Sequence, residues 1–347
     1  TAYEIRLSLV GSEMCIRDSS VTYFVPEHEE CEVWIASVTN NTKKTKTVEL
    51  YPYVELLIGD YHEELRYRNI MHLYTRAWFD KPHNAVFAKK TAAWEGMNIQ
   101  PFDTLVFFGS SLPVKGCCTQ KDAFVGRCNT EEKPTAVIDG KFEHFPICSG
   151  EDSIGSFKHS VTLKPGQTKE FTVVLGQTSG VPEASRMLTK FRDLKKAKQE
   201  LANTKKIWLD RITGNIEVNT PDKDFNVLYN VWVKYQVYIC NFWSRSPSYY
   251  HEGSGGRGYR DSAQDGEAVV SINPQLTRQK MLRIAALIRR DGTSAPGWSD
   301  TKGPYKFRPN KDHQVWLTQT VSAYIKETGD KDILGEYVPF LKDAWIK

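Results

Sequence analysis

The pattern of apolar residues changes once along the chain, and this change most constrains the fold. Between Val21 and Thr178, short apolar or alternating segments are separated by Pro, Gly, Asn and Asp, which is typical of β-strands joined by turns. The segments are EVWIASVTN, TVELYPYVELLIG, NAVFAKK, TLVFFGS, GSFKHSVTL and KEFTVVLG. Because no helical pattern interrupts them, they predict an antiparallel β-sandwich.

After Thr178 the pattern becomes helical. VPEASRMLTKFRDLKKAKQELANTKKIWLDRIT predicts one long linker helix with Pro182 in its first turn. Further on, DKDFNVLYNVWVKYQVYICNFW predicts a buried helix, because it is apolar on most of its surface. QLTRQKMLRIAALIRR and DHQVWLTQTVSAYIKETGD predict two more helices, ended by Asp291-Gly292 and by Gly329. We therefore predict a β-sandwich domain over 20–178, a helical linker over 179–214 and a helical barrel or bundle over 215–347.

Both ends of the chain are unusual. TAYEIRLSLVGSEMCIRDS can be back-translated to a transposase-type sequencing adaptor, with a barcode gap around Arg6 and Leu7. We interpret residues 1–19 as an adaptor-derived artefact and exclude them from the fold prediction. At the other end, YVPFLKDAWIK stops within helical spacing. We expect the chain to be an internal fragment of a longer protein.

Composition excludes several classes of function. The 46 basic and 42 acidic residues give a net charge of +4 without a basic tract, so the sequence does not support nucleic-acid binding. No window of about 18 apolar residues predicts a membrane span. Six cysteines follow Cys15 without a CxxC pair, which favours unrelated thiols in a reduced, cytoplasmic protein over a metal cluster. Asp60, His62, Glu63 and Glu64 are likewise predicted to form a solvated turn.

GGRGYRDSAQD, which spans 255–265, carries the densest group of functional side chains. A GxGxxG interpretation is weak, because no predicted strand precedes the glycines. Asp261 and Asp265 are four residues apart, so a helix would place both carboxylates on one face. The planar guanidinium of Arg260 suits phosphate or carboxylate. From these residues alone, an ion-paired turn that caps a helix is the favoured interpretation.

Three segments in this order resemble the glycoside hydrolase family 94 phosphorylases: SRSPSYYHEGSGGRGYRDSAQD, RDGTSAPGW and NKDHQVWLTQTVSAYIKETGD. Upstream, FVPEHEECEVWIASVTNNTKKTKTVELYPYVEL is similar to the N-terminal sandwich of that family. The Arg-Asp-Ser-x-Gln-Asp block is the most specific part. The resemblance implies a β-sandwich, a linker helix and the start of an (α/α)6 barrel.

The resemblance also implies an activity. In this family, phosphate attacks the anomeric carbon of a β-linked gluco-disaccharide or oligosaccharide with inversion, and one Asp protonates the departing oxygen. Phosphate replaces the base-activated water of an inverting hydrolase, so one catalytic carboxylate suffices. The implied partners are a β-glucoside or N-acetylglucosaminide and inorganic phosphate, in a homodimer without a metal or organic cofactor. The acceptor sugar and the linkage are not implied.

Particular residues follow from matching the motifs. DHQVW matches the family's Asp-Asp-x-Leu-Trp motif, with Asp312 as the general acid and His313 where a second Asp usually stands. Lys306, Arg308 and Lys311 are expected to lower the pKa of Asp312, and a bound phosphate dianion to raise it again. The alternative for Asp312 is a helix N-cap. By the same matching, the resemblance implies Arg260 for phosphate and Asp261 and Asp265 for the transferred sugar. Gln264 and Arg257 are further substrate candidates. With less weight, His251 and Glu252 are candidates for lining the sugar site and Trp298 and Trp316 for stacking on sugar, although helical spacing favours a core role for Trp316.

Two other functions stay open at this point. On the same fold, a hydrolase similar to glucoamylase would need a second carboxylate to position water. The chain could instead be a phosphorylase-like or sugar-binding module of a cyclic glucan synthase. In the family, further ligands come from later barrel helices, so the resemblance implies that residues 1–347 alone are inactive.

Overall fold

The computed structural model describes eight stretches of the chain: 3–7, 17–59, 61–91, 102–214, 216–243, 256–299, 303–306 and 311–342. Contacts divide the chain into a sandwich unit, Thr1–Lys206, and a helical unit, Ile207–Lys347. Among the described residues, no helix is both long and apolar enough to cross a membrane.

The sandwich unit contains two antiparallel sheets. In the larger sheet the strand order is β1-β2-β3-β12-β8-β7-β6-β10, and in the smaller one β4-β11-β5, with β9 also paired to β11. The edge strand β1 lies within the segment that we interpret as adaptor-derived, and that interpretation stays a prediction. The strands are β1 Tyr3–Leu7, β2 Arg17–Phe24, β3 Cys31–Asn40, β4 Lys46–Leu50, β5 Tyr53–Glu55, β6 Thr75–Asp80, β7 Ala85–Lys90, β8 Leu105–Ser110, β9 Gly116–Gln120, β10 Ile147–Ser149, β11 Ser153–Leu163 and β12 Thr168–Thr178.

Aromatic packing joins the two sheets and confirms the predicted sandwich. Phe108 on β8 and Phe157 on β11 stack with ring centroids 5.2 Å apart and planes 4° apart. Neither side chain is exposed to solvent. Strand β3 shows the predicted alternation from Cys31 to Ile35, where Val33 and Ile35 are buried and Glu32 and Trp34 are half-buried. Burial of alternate residues therefore fixes the register of the strand.

Helices interrupt the strands, contrary to the prediction. They are α1 Tyr61–Met71, followed by a 3-10 turn His72–Tyr74, α2 Lys121–Val125 and α3 Thr135–Ile138. The predicted solvated turn is also wrong, because Glu63 in the first turn of α1 bonds the buried Lys90 Nζ at 2.6 Å. A long-range ion pair of this kind leaves no local signal in the sequence. Asp60 and the side chain of His62 lie outside the described residues.

The predicted single linker helix is two helices, α4 Val181–Arg192 and α5 Leu194–Thr213. They are separated at Asp193, whose carboxylate accepts hydrogen bonds from the backbone N–H groups of Lys195 and Lys196. Such bonds start a new helix. The apolar face of α4 packs into the same core as the larger sheet. The apolar positions that predicted a linker helix are therefore the ones that pack against the larger sheet, and α4 is part of the sandwich unit.

In the helical unit, α8 packs against α7, α9 and α10. As predicted, α10 ends at Gly329, which adopts a left-handed conformation with φ of 72°, whereas α9 ends several residues before the predicted Asp291-Gly292. The elements are α6 Lys223–Val227, a π-helical segment Leu228–Val233, α7 Lys234–Trp243, β13 Gly256–Gly258, α8 Tyr259–Val269, α9 Pro274–Ala285, β14 Gly297–Ser299, β15 Gly303–Pro304, α10 His313–Thr328 and a 3-10 turn Asp332–Gly335.

The prediction of a buried helix over 222–243 is wrong for its first half. Phe225, Leu228 and Trp232 are 44%, 49% and 57% exposed. Only the second half, α7, contributes buried residues such as Tyr238 and Asn241. An apolar composition shows that a helix can be buried, but it does not supply the neighbours that would cover it.

Candidate active site

A short strand leads directly into the helix that carries most of the candidate residues. β13 pairs with β14 so that Arg257 lies opposite Trp298 and Gly258 opposite Gly297. Gly297 is required because a Cβ there would overlap the carbonyl oxygen of Arg257. The backbone N–H of Tyr259 then donates to Pro296 O at 2.9 Å, at the start of α8. A short strand therefore leads into the helix, although no strand was predicted at this point.

Two buried rings hold the beginning of α8 against the beginning of α10. Tyr259 and His313 stack with centroids 5.0 Å apart and planes 6° apart. His313 Nδ1 lies 3.2 Å from Ser294 Oγ, which fixes the imidazole to the preceding loop. Burial lowers the pKa of His313, so the ring is neutral at neutral pH. The N-terminus of α10 is thereby fixed next to α8.

Asp312 occupies the position immediately before α10. Its Oδ2 accepts a hydrogen bond from Trp316 Nε1 at 3.1 Å and another from Arg260 Nη1 at 3.4 Å. These donors, Trp316 foremost, lower the pKa of Asp312. The predicted direction of the pKa shift is thus confirmed, but its largest cause is an indole rather than the neighbouring cations of the sequence. Arg308 lies outside the described residues.

Positions 312 and 313, which match the two Asp residues of the family motif, have different environments. The side chain of Asp312 is 49% exposed and makes no capping bond to α10, so the N-cap alternative is not supported. His313 is only 2% exposed and belongs to the interior. A ligand can reach position 312 but not position 313. His313 stands where the family has a second Asp, but it is buried, so the accessible carboxylate at position 312 is retained.

The other predicted site residues lie on β13 and α8. Asp261 and Asp265 occupy successive turns of α8, but only Asp265 is buried. The carboxylate of Asp261 lies over Gly258, where a Cβ would overlap it. Gln264 and Arg257 are half-buried. The structure brings Arg260 and Asp312 into direct contact, and it places the remaining candidates on the same strand and helix as Arg260.

Some functional features were missed or misread in the sequence. Asn241 is buried and donates to the backbone carbonyl of Asp265 at 3.0 Å, so α7 supports this part of α8. Its signal was an amide near the end of an apolar helical segment. Trp298 is buried beneath Lys280 and Arg283, with cation-to-centroid distances of 5.8 and 5.7 Å, so its predicted stacking on sugar is wrong. His251 and Glu252 lie outside the described residues.

Arg260 and Asp312 together can bind an anion and supply a proton. Both side chains are about half-exposed, so a ligand can reach them. A guanidinium binds phosphate or carboxylate through paired N–H donors. A carboxyl group beside it can act as a general acid once it is protonated. Within the described part of the chain, no three His, Cys, Asp or Glu side chains form a group that could hold a metal ion.

Comparisons with known proteins match nearly the whole chain. The model for "Glycosyl hydrolase 94, supersandwich domain" matches residues 16–194, and that for "Glycosyl hydrolase 94 superfamily, catalytic domain" matches 207–345. Solabiose phosphorylase of Paenibacillus borealis is 27% identical over 92% of this chain and 39% of its own length. N,N'-diacetylchitobiose phosphorylase of Vibrio furnissii is 26% identical over 97% of this chain and 45% of its own length.

The solved structures with a similar fold include a glucoamylase. A bacterial glucoamylase complexed with acarbose aligns with a TM-score of 0.59 and 12% identity, covering 90% of this chain and 44% of that one. At this identity the likeness concerns the fold alone. The chain spans about two fifths of the length of the curated phosphorylases that it matches.

Proposed function

The chain belongs to the glycosyl hydrolase 94 superfamily, and we propose that the protein catalyses the inverting phosphorolysis of a β-linked gluco-disaccharide or oligosaccharide. Inorganic phosphate attacks the anomeric carbon and the glycosidic C–O bond breaks. Asp312 gives its proton to the departing oxygen. The products are an α-sugar 1-phosphate and a sugar shortened by one residue. The phosphorylase relatives support this reaction.

The contact between Arg260 and Asp312 is the observation that carries the proposal. Their side chains lie 3.4 Å apart on α8 and immediately before α10. Phosphorolysis needs the nucleophilic anion and the general acid together in one site. Arg260 binds the phosphate, and Asp312 faces the leaving oxygen. A hydrolase would instead need a second carboxylate to activate water.

Phosphate binding also prepares the acid. Trp316 and Arg260 lower the pKa of Asp312, which favours the carboxylate, whereas catalysis requires the protonated form. A phosphate dianion on Arg260 takes the guanidinium as its own partner and places negative charge near Asp312. Both effects raise the pKa of Asp312. Phosphate binding therefore favours the protonated form of Asp312, which takes its proton from solvent.

The remaining contacts complete the proposal. Asp261, Asp265, Gln264 and Arg257 hold hydroxyl groups of the transferred sugar. Phosphate is a cosubstrate, and neither a metal nor an organic cofactor takes part. The enzyme is a cytoplasmic homodimer in which further ligands come from sequence beyond Lys347. Residues 1–347 alone are therefore expected to be inactive.

A disaccharide screen with and without phosphate tests the function in the protein at its natural length. We expect α-sugar 1-phosphate to form only when phosphate is present. Asp312→Asn, which cannot donate this proton, lowers kcat by about 10²- to 10⁴-fold. Asp332→Asn changes an exposed carboxylate of the same unit and leaves kcat unchanged. Release of free glucose without phosphate would instead identify a hydrolase.

A further inference from the structure

Trp316 lies one helical turn after Asp312, on the same face of α10. Its indole N–H donates to Asp312 Oδ2 at 3.1 Å. The ring of Trp316 is partly buried and packs against the core cluster around Tyr259, Ala263 and Ile284. Since the core holds the ring, the position of its N–H is fixed before any ligand arrives.

The two donors to Asp312 converge on one oxygen. Arg260 Nη1 also reaches Oδ2, at 3.4 Å, and no other side chain in the described parts of the chain donates to this carboxylate. The donors differ in how firmly they are held. Arg260 is half-exposed and charged, so an incoming anion can draw it away. Trp316 is neutral and partly buried, so its bond to Oδ2 persists when phosphate binds.

The chemistry of the indole decides which oxygen carries the proton. An indole N–H donates and never accepts. In a protonated carboxyl group the carbonyl oxygen is the better acceptor, because the hydroxyl oxygen has given electron density to its own proton. A donor fixed on Oδ2 therefore makes Oδ2 the carbonyl oxygen and leaves Oδ1 as the hydroxyl.

On the premise of the proposed phosphorolysis, we propose that Trp316 is the positioning residue of the general acid. It holds Oδ2 as an acceptor, so that the proton delivered to the leaving sugar is carried on Oδ1. During the reaction the Oδ1–H bond breaks and its electron pair stays on Asp312, while an O–H bond forms on the departing oxygen. The new negative charge is shared with Oδ2, where the bond from Trp316 strengthens.

The variant Trp316→Phe keeps the ring in the core and removes the donor. We expect the pKa of Asp312 to rise, because the carboxylate form gains more from the lost hydrogen bond than the protonated form does. Asp312 acts when protonated, so activity falls as pH rises through its pKa, and the alkaline limb of kcat moves to higher pH. At its plateau, kcat falls about ten- to a hundredfold because the carboxyl is no longer oriented. The KM for phosphate, which depends on Arg260, changes little.

Trp208→Phe is the matched control, since Trp208 contacts Tyr235 and Tyr238 and not Asp312. It removes an indole from the same unit and leaves the pKa of Asp312 and the alkaline limb unchanged. Circular dichroism compares the folding of both variants with the parent protein.

The unmodified 347-residue chain provides a readout that needs neither a variant nor activity. Carboxyl ¹³C resonances give the titration of Asp312, and the ¹⁵N–¹H resonance of the Trp316 indole reports its hydrogen bond. We expect the indole resonance to shift with the same midpoint as Asp312. If the Trp316 indole resonance does not shift as Asp312 titrates, or if the pKa of Asp312 is unchanged in Trp316→Phe, then Trp316 does not position the general acid. A coupled titration in this chain, together with missing phosphorolysis in the protein at its natural length, overturns the proposed function instead.

Discussion

The sandwich unit and the helical unit each hold an arginine–carboxylate pair, and the two pairs differ in geometry. Arg186 donates two hydrogen bonds to Glu29, at 3.0 and 2.7 Å, and the Glu29 side chain is only 10% exposed. Arg260 reaches Asp312 with one bond of 3.4 Å, and both side chains are half-exposed. Two bonds to a nearly buried carboxylate stabilise a fold, whereas a single bond to a half-exposed carboxylate exchanges readily for a ligand. The comparison distinguishes a structural arginine from one available to phosphate.

The two units also differ in how completely they bury their apolar residues. The sandwich unit closes its aromatic core between two sheets, where Phe87, Phe107 and Phe157 are at most 1% exposed. The helical unit packs tightly around Tyr259, but the apolar residues of α6 and the π-helical segment remain accessible. Its best-packed part is therefore the part that positions the candidate site.

The largest expected effect on stability is in the sandwich core. Phe157→Ala removes the ring that stacks on Phe108 and leaves a cavity between the sheets. We expect the free energy of unfolding to fall by about 3 to 5 kcal/mol. Urea denaturation followed by far-ultraviolet circular dichroism measures this loss.

Trp232→Ala is the matched truncation in the helical unit. Its ring is 57% exposed, so the loss is expected to stay within about 0.5 kcal/mol. Equal losses of unfolding free energy in Phe157→Ala and Trp232→Ala would contradict the packing difference between the two units.

A smaller effect concerns the tight ion pair. Arg186 lowers the pKa of Glu29, so the pair stabilises the fold above the unfolded-state pKa of about 4.3. We expect Glu29→Gln to cost about 1 kcal/mol at neutral pH. This cost disappears as the pH falls through the lowered pKa of Glu29, because the parent protein then loses the charge too.

Urea denaturation at several pH values, with exposed Glu132→Gln as the control, measures this dependence. A cost for Glu29→Gln that is the same at every pH would show that Glu29 acts through packing and not through charge.

The sequence predicted those elements whose apolar period is sustained and whose ends carry a signal. Strand β3 alternates and α10 ends at a left-handed Gly329, and both were found as predicted. The break at Asp193 was missed because the helical period continues through it. Burial of the segment around Trp232 was mispredicted because burial depends on neighbours that periodicity does not identify.

The candidate site was predictable to a lesser degree. Asp312 and Arg260 were chosen from a resemblance, and their contact depends on the packing of α8 against α10, which no local pattern reveals. The bond from Trp316 to Asp312 was readable in principle, since residues four apart share a helix face. The ion pair of Glu63 with Lys90 was not, because it joins helix α1 to strand β7, which are distant in sequence.

The most direct measurement is the pKa of Asp312 with and without phosphate, followed by carboxyl ¹³C resonances in the protein at its natural length. If Arg260 exchanges Asp312 for phosphate, the pKa of Asp312 rises when phosphate is added, and Arg260→Ala abolishes this response. A pKa of Asp312 that stays the same while phosphate demonstrably binds would contradict the coupling of nucleophile and acid in one site.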